Sequence, residues 1–212
     1  MINQYLGDTI MMLFMEKADD GIHAGIEILR MIDAYNLERQ EMHRKNIRIG
    51  IGMHSGPLMM GIIGDSMRTD AAVISDTVNT SSRMEGLTKH FNVNFILSEE
   101  TVQKLVDPEQ FHLRYLGKVQ AKGKYNSIGI YECFNGDIDE QIALKKSSLL
   151  TFHAGMEAYF AKDMLSARRY FDQVYQTNPL DLTAFGFLHK IHGYITNGLP
   201  ESWSGVEMMQ SK

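Results

Sequence analysis

One stretch of the chain combines residue types and spacing that point to chemistry. In VISDTVNTSSRMEG, Asn79 and Arg83 stand four residues apart. On a helix that spacing puts both side chains on one face. A guanidinium offers several fixed donors to a phosphate, and a primary amide can hold a sugar hydroxyl or ring oxygen. The pair therefore suits an anionic, polyhydroxylated ligand, although an ordinary solvated helix face would show the same spacing. Other polar groups carry less. His54, in GMHSG, falls on a predicted strand, where neutral packing at the strand end accounts for it. The other histidines read as scattered, with no metal-ligand pair. Ser81 and Ser82 have no matching His and Asp, so a hydrolase has little support. GIIGD contains glycines but is neither a dinucleotide fingerprint nor a P-loop.

The elements that must hold these groups follow from periodicity. INQYLGDTIMMLF is two apolar runs hinged on Gly7-Asp8, which predicts a hairpin over residues 2–14 with an acid at its tip. Glycine accepts the φ > 0 wanted at the first turn position. Residues 19–44 carry Ile22, Ile26, Ile28, Leu29, Ile32 and Leu37 at helical spacing, which predicts a long amphipathic helix. IRIGIGMHSG predicts a strand reaching Gly56-Pro57, LMMGIIGD a second, and the two read as another hairpin. AAVIS is a short strand, and Asp76 is placed to cap the helix TVNTSSRMEGLTKHF. NVNFILS is a strand, and a short helix starts at Ser98 or Glu99 and runs through Leu105. HLRYLGKVQ and SIGIYECF are two further strands separated by AKGKYN. Without a strict βαβ rhythm, this pattern argues for α+β or mixed α/β. From Ile142 to HGYITNG the pattern is helical, and LPESWSGVEMMQSK is a tail without periodicity.

Bulk properties narrow the function. A chain of 212 residues allows one ordinary domain and a small one. A net charge of -5 gives no electrostatic case for nucleic acid. The single cysteine, Cys133, excludes an intrachain disulfide and suits a reducing compartment. No apolar run approaches the roughly 20 residues of a membrane span, and TIMMLFM reads as a buried strand. The N-terminus has no basic region or cleavage site. The fifteen methionines read as core filler.

Four blocks, in order, carry a family resemblance: GDTIMMLF, IRIGIGMHSGPLMMGIIGD, ISDTVNTSSRME and LGKVQAKGK with IYE. Together they closely resemble the catalytic domain of class III adenylyl and guanylyl cyclases of the bacterial homodimeric type, over residues 1–134. DTVNTSSRME is the most specific element. The resemblance implies an α+β fold, a ferredoxin-like sheet with flanking helices. It also implies a reaction in which the ribose 3′-hydroxyl of a nucleoside triphosphate attacks the α-phosphate. Pyrophosphate leaves and a cyclic 3′,5′-nucleotide remains, with two Mg²⁺ or Mn²⁺ ions offsetting charge. Asp8 falls at the second metal aspartate, where two strands would fix the carboxylate while leaving it exposed. Asn79 would orient the ribose, Arg83 would stabilise transition-state charge, and Lys122 would contact the terminal phosphates. Family members dimerise head to tail, so Asp8 would face Asn79, Arg83 and Lys122 of a partner. A cytoplasmic signalling enzyme is the implied setting.

The resemblance also has gaps. The family's first metal aspartate lies on an F-x-D-I-x-x-F-T strand, two helices before the hairpin, and no such stretch is present. The chain thus reads as the C-terminal two-thirds of the domain, with little or no activity expected from it alone. The missing strand is expected to leave a sheet edge unpaired. Adenylyl cyclases read the purine with a Lys three residues before the hairpin Gly and an Asp or Thr seven before the catalytic Asn. Those positions hold Gln4 and Ala72 here. Gln can donate and accept, Ala can do neither, and Asp70 lies on the same strand face as Ala72. The ISDTVN style points to ATP, with GTP the other purine to test.

HAGMEAYFAKDMLSARRYFDQVYQTNP resembles one tetratricopeptide repeat, with Gly155, Ala167, Phe171 and Pro179 at its small, small, aromatic and Pro positions. LDLTAFGFLHKIHGYI supplies a third helix. One repeat cannot bury a core as an array does. It is therefore expected to pack on the cyclase unit or on a partner, as a stabilising appendage or a docking surface for a protein. Trp203 is placed to anchor the tail. The expected division is 1–136 cyclase domain, 140–198 helical unit and 199–212 tail. The leading reading is adenylate cyclase. The alternative is an inactive cyclase-like module that binds nucleotide or a protein partner and regulates it. Gln4, Ala72 and the absent aspartate favour the alternative, whereas Asp8, Asn79, Arg83 and Lys122 favour the enzyme.

Overall fold

The hairpin forms where the apolar runs place it. Strands β1 (Ile2–Leu6) and β2 (Thr9–Met12) pair antiparallel with Leu6 opposite Thr9, which leaves a two-residue loop. Gly7 sits at φ +64, the left-handed value that this turn asks of its first position. This computed structural model describes residues 1–64, 69–121 and 126–209, with the backbone alone at 62–64, 69–74, 121 and 209.

Helix α1 (Ala18–Glu41) buries Ile22, Ile26 and Leu29, one apolar stripe. Its start is pinned by Asp19, which accepts from the N–H groups of Val106 and Asp107. Its end is pinned by Asn36, which exchanges two hydrogen bonds with the backbone of Ile47. The chain then enters β3 (Ile51–Met53), which is shorter at both ends than its sequence predicts, since only these three residues pair with a neighbouring strand. The expected hairpin between β3 and the next strand does not form. Strand β4 (Met59–Gly64) pairs antiparallel with β5 (Thr69–Ile74) as a separate two-stranded arm. Strand β3 pairs in parallel with β6 (Phe95–Ser98) instead. The connection between them contains α2 (Asp76–Phe91), the crossover helix that a parallel pair requires. The inserted β4–β5 arm hides this βαβ unit in the sequence rhythm. The cap of α2 is also corrected. Ser75, not Asp76, accepts the Thr77 N–H at 3.0 Å, and Asp76 is the first helical residue.

After α3 (Glu99–Val102), β7 (Leu113–Ala121) and β8 (Ser127–Cys133) pair antiparallel. Three helices follow: α4 (Asp139–Phe160), α5 (Met164–Thr177) and α6 (Leu182–Asn197). The tail, expected to be featureless, ends in β9 (Val206–Met209), which pairs in parallel with β7. Four residues are too few to register as a periodic pattern. The Trp203 ring packs 5.1 Å from that of Tyr159 and 6.1 Å from that of Tyr194. Glu207 of β9 pairs with His90 of α2 and Lys190 of α6.

The main sheet has the order β3-β6-β8-β7-β9. Alternation sends neighbouring residues of β6 to opposite faces. Phe95 and Leu97 pack with Ile22, Ile26 and Leu29 of α1. Ile96 packs on the other side with Met84 and Phe91 of α2, and with Phe152, Phe171 and Phe187 of the C-terminal helices. The result is a mixed α+β fold, a sheet flanked by helices, in which α4–α6 share one core with the sheet. Arg114 of β7 is buried at the junction, donating to Glu132 at 2.7 Å and to Asp181. Lys145 of α4 bridges Glu132 and Asp137, both at 2.6 Å. Among the described residues, no helix is long and apolar enough to cross a membrane.

Candidate functional site

Helix α2 has a locked face and an open face. The locked face buries Thr80, Met84, Leu87, Thr88 and Phe91. Ser81 Oγ donates to the Gly52 carbonyl at 2.8 Å. A side chain at Gly52 would run into the backbone of Ser81 and Glu85, so helix and strand touch only because that residue is glycine. At the N-terminus, the hydroxyls of Ser75 and Thr77 both donate to the Pro57 carbonyl, at 2.6 and 2.7 Å. Ser81 therefore serves the packing of α2, as expected for a serine with no base beside it.

The open face carries the two residues that the sequence singles out. Asn79 is exposed and Arg83 is half-buried. Neither forms a hydrogen bond or ion pair within the described residues. Their donors are free for a ligand, on a helix that cannot shift without breaking its contacts to β3 and to the Pro57 turn.

The remaining predicted residues stand elsewhere. Asp8 is exposed at the tip of the β1–β2 hairpin, and Gln4 is exposed on β1. The main packing partners of α2 are β3, β6 and α6, not this hairpin. Within one chain, then, the hairpin that carries Asp8 is not packed on the helix that carries Asn79 and Arg83 to the extent that β3, β6 and α6 are. Ala72 lies on β5 opposite Gly61, in a sheet separate from Gln4. Lys122 lies outside the described residues. Among the described residues, no three carboxylate, imidazole or thiolate groups gather to hold a metal. Asp8 is then one exposed carboxylate, and the described residues of one chain do not by themselves gather a metal site.

His54 follows β3, and its Nδ1 lies 2.8 Å from Ser98 Oγ. Burial holds its pKa below the usual histidine value, against the pull of Glu100. Burial pushes the Cys133 thiol up to about 12, so it is no nucleophile. One spacing was passed over in the sequence. His189 and His192 are three apart on α6 and border a shallow groove with Arg168 and Asp172. The i, i+3 interval was the available signal.

The family model described as "Adenylate and Guanylate cyclase catalytic domain" matches residues 4–135, more than half of the chain, and the chain belongs to that family. It is 42% identical over 137 residues to an adenylate cyclase of Anabaena cylindrica, covering 62% of this chain and 27% of that protein. It is 26% identical over 186 residues to the terminal-differentiation specific adenylate cyclase of Dictyostelium discoideum, covering 85% of this chain and 9% of that one. The chain therefore spans about a quarter or less of the curated relatives it matches. Among solved structures, it is similar to the guanylyl cyclase Cya2, with TM-score 0.52 and 26% identity, over 63% of this chain and 68% of that one. A bacterial light-regulated adenylyl cyclase has the same fold, with TM-score 0.54 and 22% identity, over 64% and 39%.

Proposed function

We propose that this chain is part of the catalytic domain of an adenylate cyclase that, as a whole protein, converts ATP to cyclic AMP and pyrophosphate for intracellular signalling. The observation that carries the reading is that Asn79 and Arg83, on the open face of an otherwise immobilised helix inside the matched segment, have no partner among the described residues. The ribose 3′-hydroxyl gives up its proton to solvent as its oxygen bonds to the α-phosphorus, the bond from that phosphorus to the bridging oxygen of the β-phosphate breaks, and pyrophosphate leaves with the electron pair. Asn79 holds the ribose in line. Arg83 meets the negative charge that develops on the α-phosphate, where a preorganised donor is worth most. Lys122 takes the terminal phosphates, and Gln4 and Ala72 stand at the base-reading positions. ATP is favoured because the Anabaena relative is an adenylate cyclase. GTP is the second substrate to test, because Gln4 can face either purine.

The site is assigned to a head-to-tail homodimer, in which Asp8 of one chain faces Asn79, Arg83 and Lys122 of its partner. The hairpin's lesser packing on α2 within one chain, against that of β3, β6 and α6, supports this arrangement. Asp8 is assigned as one ligand of a Mg²⁺ or Mn²⁺ ion, which when bound would offset charge on the phosphates. The division into 1–136, 140–198 and 199–212 is retained, with the middle segment a tetratricopeptide-like unit that offers a docking surface to a protein partner. The setting is cytoplasmic.

A second reading is an inactive module that binds nucleotide or a partner, and Ala72, which cannot read a base, favours it. This chain alone is expected to give little or no product, so the test measures cyclic AMP and cyclic GMP formed from ATP and GTP with Mn²⁺ by the whole protein that carries it, with Asn79→Ala as control. Product lost in Asn79→Ala supports the enzyme. Product that survives it sinks the assigned site. Nucleotide binding without product selects the second reading.

A further inference from the structure

The turn after β3 is built around an imidazole that the proposed chemistry does not use. His54 Nδ1 lies 2.8 Å from Ser98 Oγ, and Ser98 is fully buried. The same oxygen accepts the Thr101 N–H at 3.3 Å as the cap of α3. The other ring nitrogen, Nε2, lies against Gly56. A Cβ at Gly56 would come within 3.4 Å of Nε2 and 2.6 Å of Thr77 Oγ1. Gly56 is thus flat against the first turn of α2, and the next carbonyl, that of Pro57, receives the Ser75 and Thr77 hydroxyls. One line of contacts runs from Ser98 through His54 and the 56–57 turn into α2. Asn79 follows two residues after Thr77, and Arg83 stands one helical turn beyond.

We propose that His54 is a positioning residue: a neutral imidazole wedged between Ser98 and Gly56 that holds the 56–57 turn against α2 and so fixes where Asn79 and Arg83 stand. Its effect on turnover rests on the cyclase reading, whereas its effect on α2 does not. Charged groups face the ring from two elements. Glu100 Oε2, from α3, lies 3.7 Å from Nδ1 and has no hydrogen-bond partner among the described residues. Lys104 follows α3, and Asp76 begins α2. Glu100 and Asp76 favour a charged ring, whereas burial and Lys104 oppose it. We assign Nδ1 as the acceptor of the Ser98 hydroxyl. Protonation turns Nδ1 into a donor, and the unpaired oxygen of Glu100 then competes for it. Acid would draw the ring toward Glu100 and away from Gly56, loosening the start of α2.

The test compares the wild-type chain with His54→Ala and His54→Asn, whose amide oxygen can replace Nδ1 but does not titrate. Hydrogen exchange over residues 77–83 of the nucleotide-free chain should be faster in His54→Ala and near wild type in His54→Asn. Acidification from pH 8 to 5.5, corrected for intrinsic rates, should speed that exchange in wild type but not in His54→Asn. In the cyclase assay, His54→Ala should lose about tenfold in kcat with KM for ATP nearly held, the scale of a small misplacement. The acid limb of wild type should be missing in His54→Asn. Unchanged exchange in His54→Ala, or an acid limb retained in His54→Asn, overturns the proposal. Altered exchange with no turnover by any of the three proteins would retire the cyclase reading and leave the positioning role standing.

Discussion

Charge is handled in opposite ways at two places in this molecule. At the junction of the sheet with the C-terminal helices, Arg114 is 1% exposed and shares Glu132 and Asp181, while Lys145 joins Glu132 to Asp137. Burial alone would lower the pKa of Arg114, but Glu132 and Asp181 outweigh it and push the guanidinium up. Asp181 is held below its usual value in the same way, burial being overcome by Arg114. On the open face of α2, the guanidinium of Arg83 and the amide of Asn79 have no partner among the described residues. A buried charge must be paired, because several kcal/mol of desolvation stand behind it. A cation satisfied inside is scaffold, and one left outward on a fixed element is available to a ligand.

The largest expected effect breaks the first half of this contrast. Arg114→Ala leaves Asp181 with its cap bond from the Ala184 N–H but no ion pair among the described residues, and Glu132 with Lys145. Stability should fall by about 3–5 kcal/mol, the cost of orphaning a buried ion, as read by urea unfolding. The second prediction breaks the other half. Arg83→Ala should move the unfolding free energy by no more than about 0.5 kcal/mol. Cyclic AMP formation should meanwhile drop by about 10²–10³-fold, as when one transition-state donor is removed. A variant of either arginine that behaved like the other would erase the distinction. A smaller change sharpens it at the helix end. Ser75→Ala removes both the cap of α2 and one hydroxyl on the Pro57 carbonyl. About 1 kcal/mol of stability should be lost, measured by thermal unfolding.

The two regions differ in how far the sequence reveals them. The β1–β2 hairpin, α1 and α2 were legible, because periodicity and turn residues are local. Asn79 and Arg83 were legible as a pair for the same reason, since four residues on a helix fix a shared face. The junction was not. Arg114, Glu132, Lys145 and Asp181 are far apart in sequence, and any one of them reads as a surface charge until the fold brings it to the others. Pairing of strands failed for a related reason. The expected β3–β4 hairpin rested on neighbouring apolar runs, but β3 finds its partner in β6 across the crossover helix α2. The tail strand β9 was invisible because its register is imposed by the open edge of β7, and Glu207 gains partners only once it docks. Ser75 was passed over as a cap because Asp76 beside it is an equally good capping type, and only backbone geometry separates them.

The smallest effect tests both regions at once through pH. His54, His112 and His153 all have pKa values below 6.5, burial being the leading cause in each case. The unfolded chain therefore binds protons at these positions before the folded chain does. Stability then rises with pH wherever the unfolded state holds more protons. The contribution is fully present above about pH 6.5 and is lost as the pH falls toward the folded values. Asp181 and Glu207 are shifted down and keep their contribution until well below that window, their usual values being 3.8 and 4.5. The urea midpoint should thus fall between pH 7.5 and 5.5, while nucleotide affinity of the protein that stays folded holds, because Arg83 keeps its charge throughout. A flat midpoint would mean that the three imidazoles are not held neutral by their surroundings. A midpoint and an affinity that fall together would mean that protonation of these imidazoles, His54 among them, reaches nucleotide binding as well as turnover.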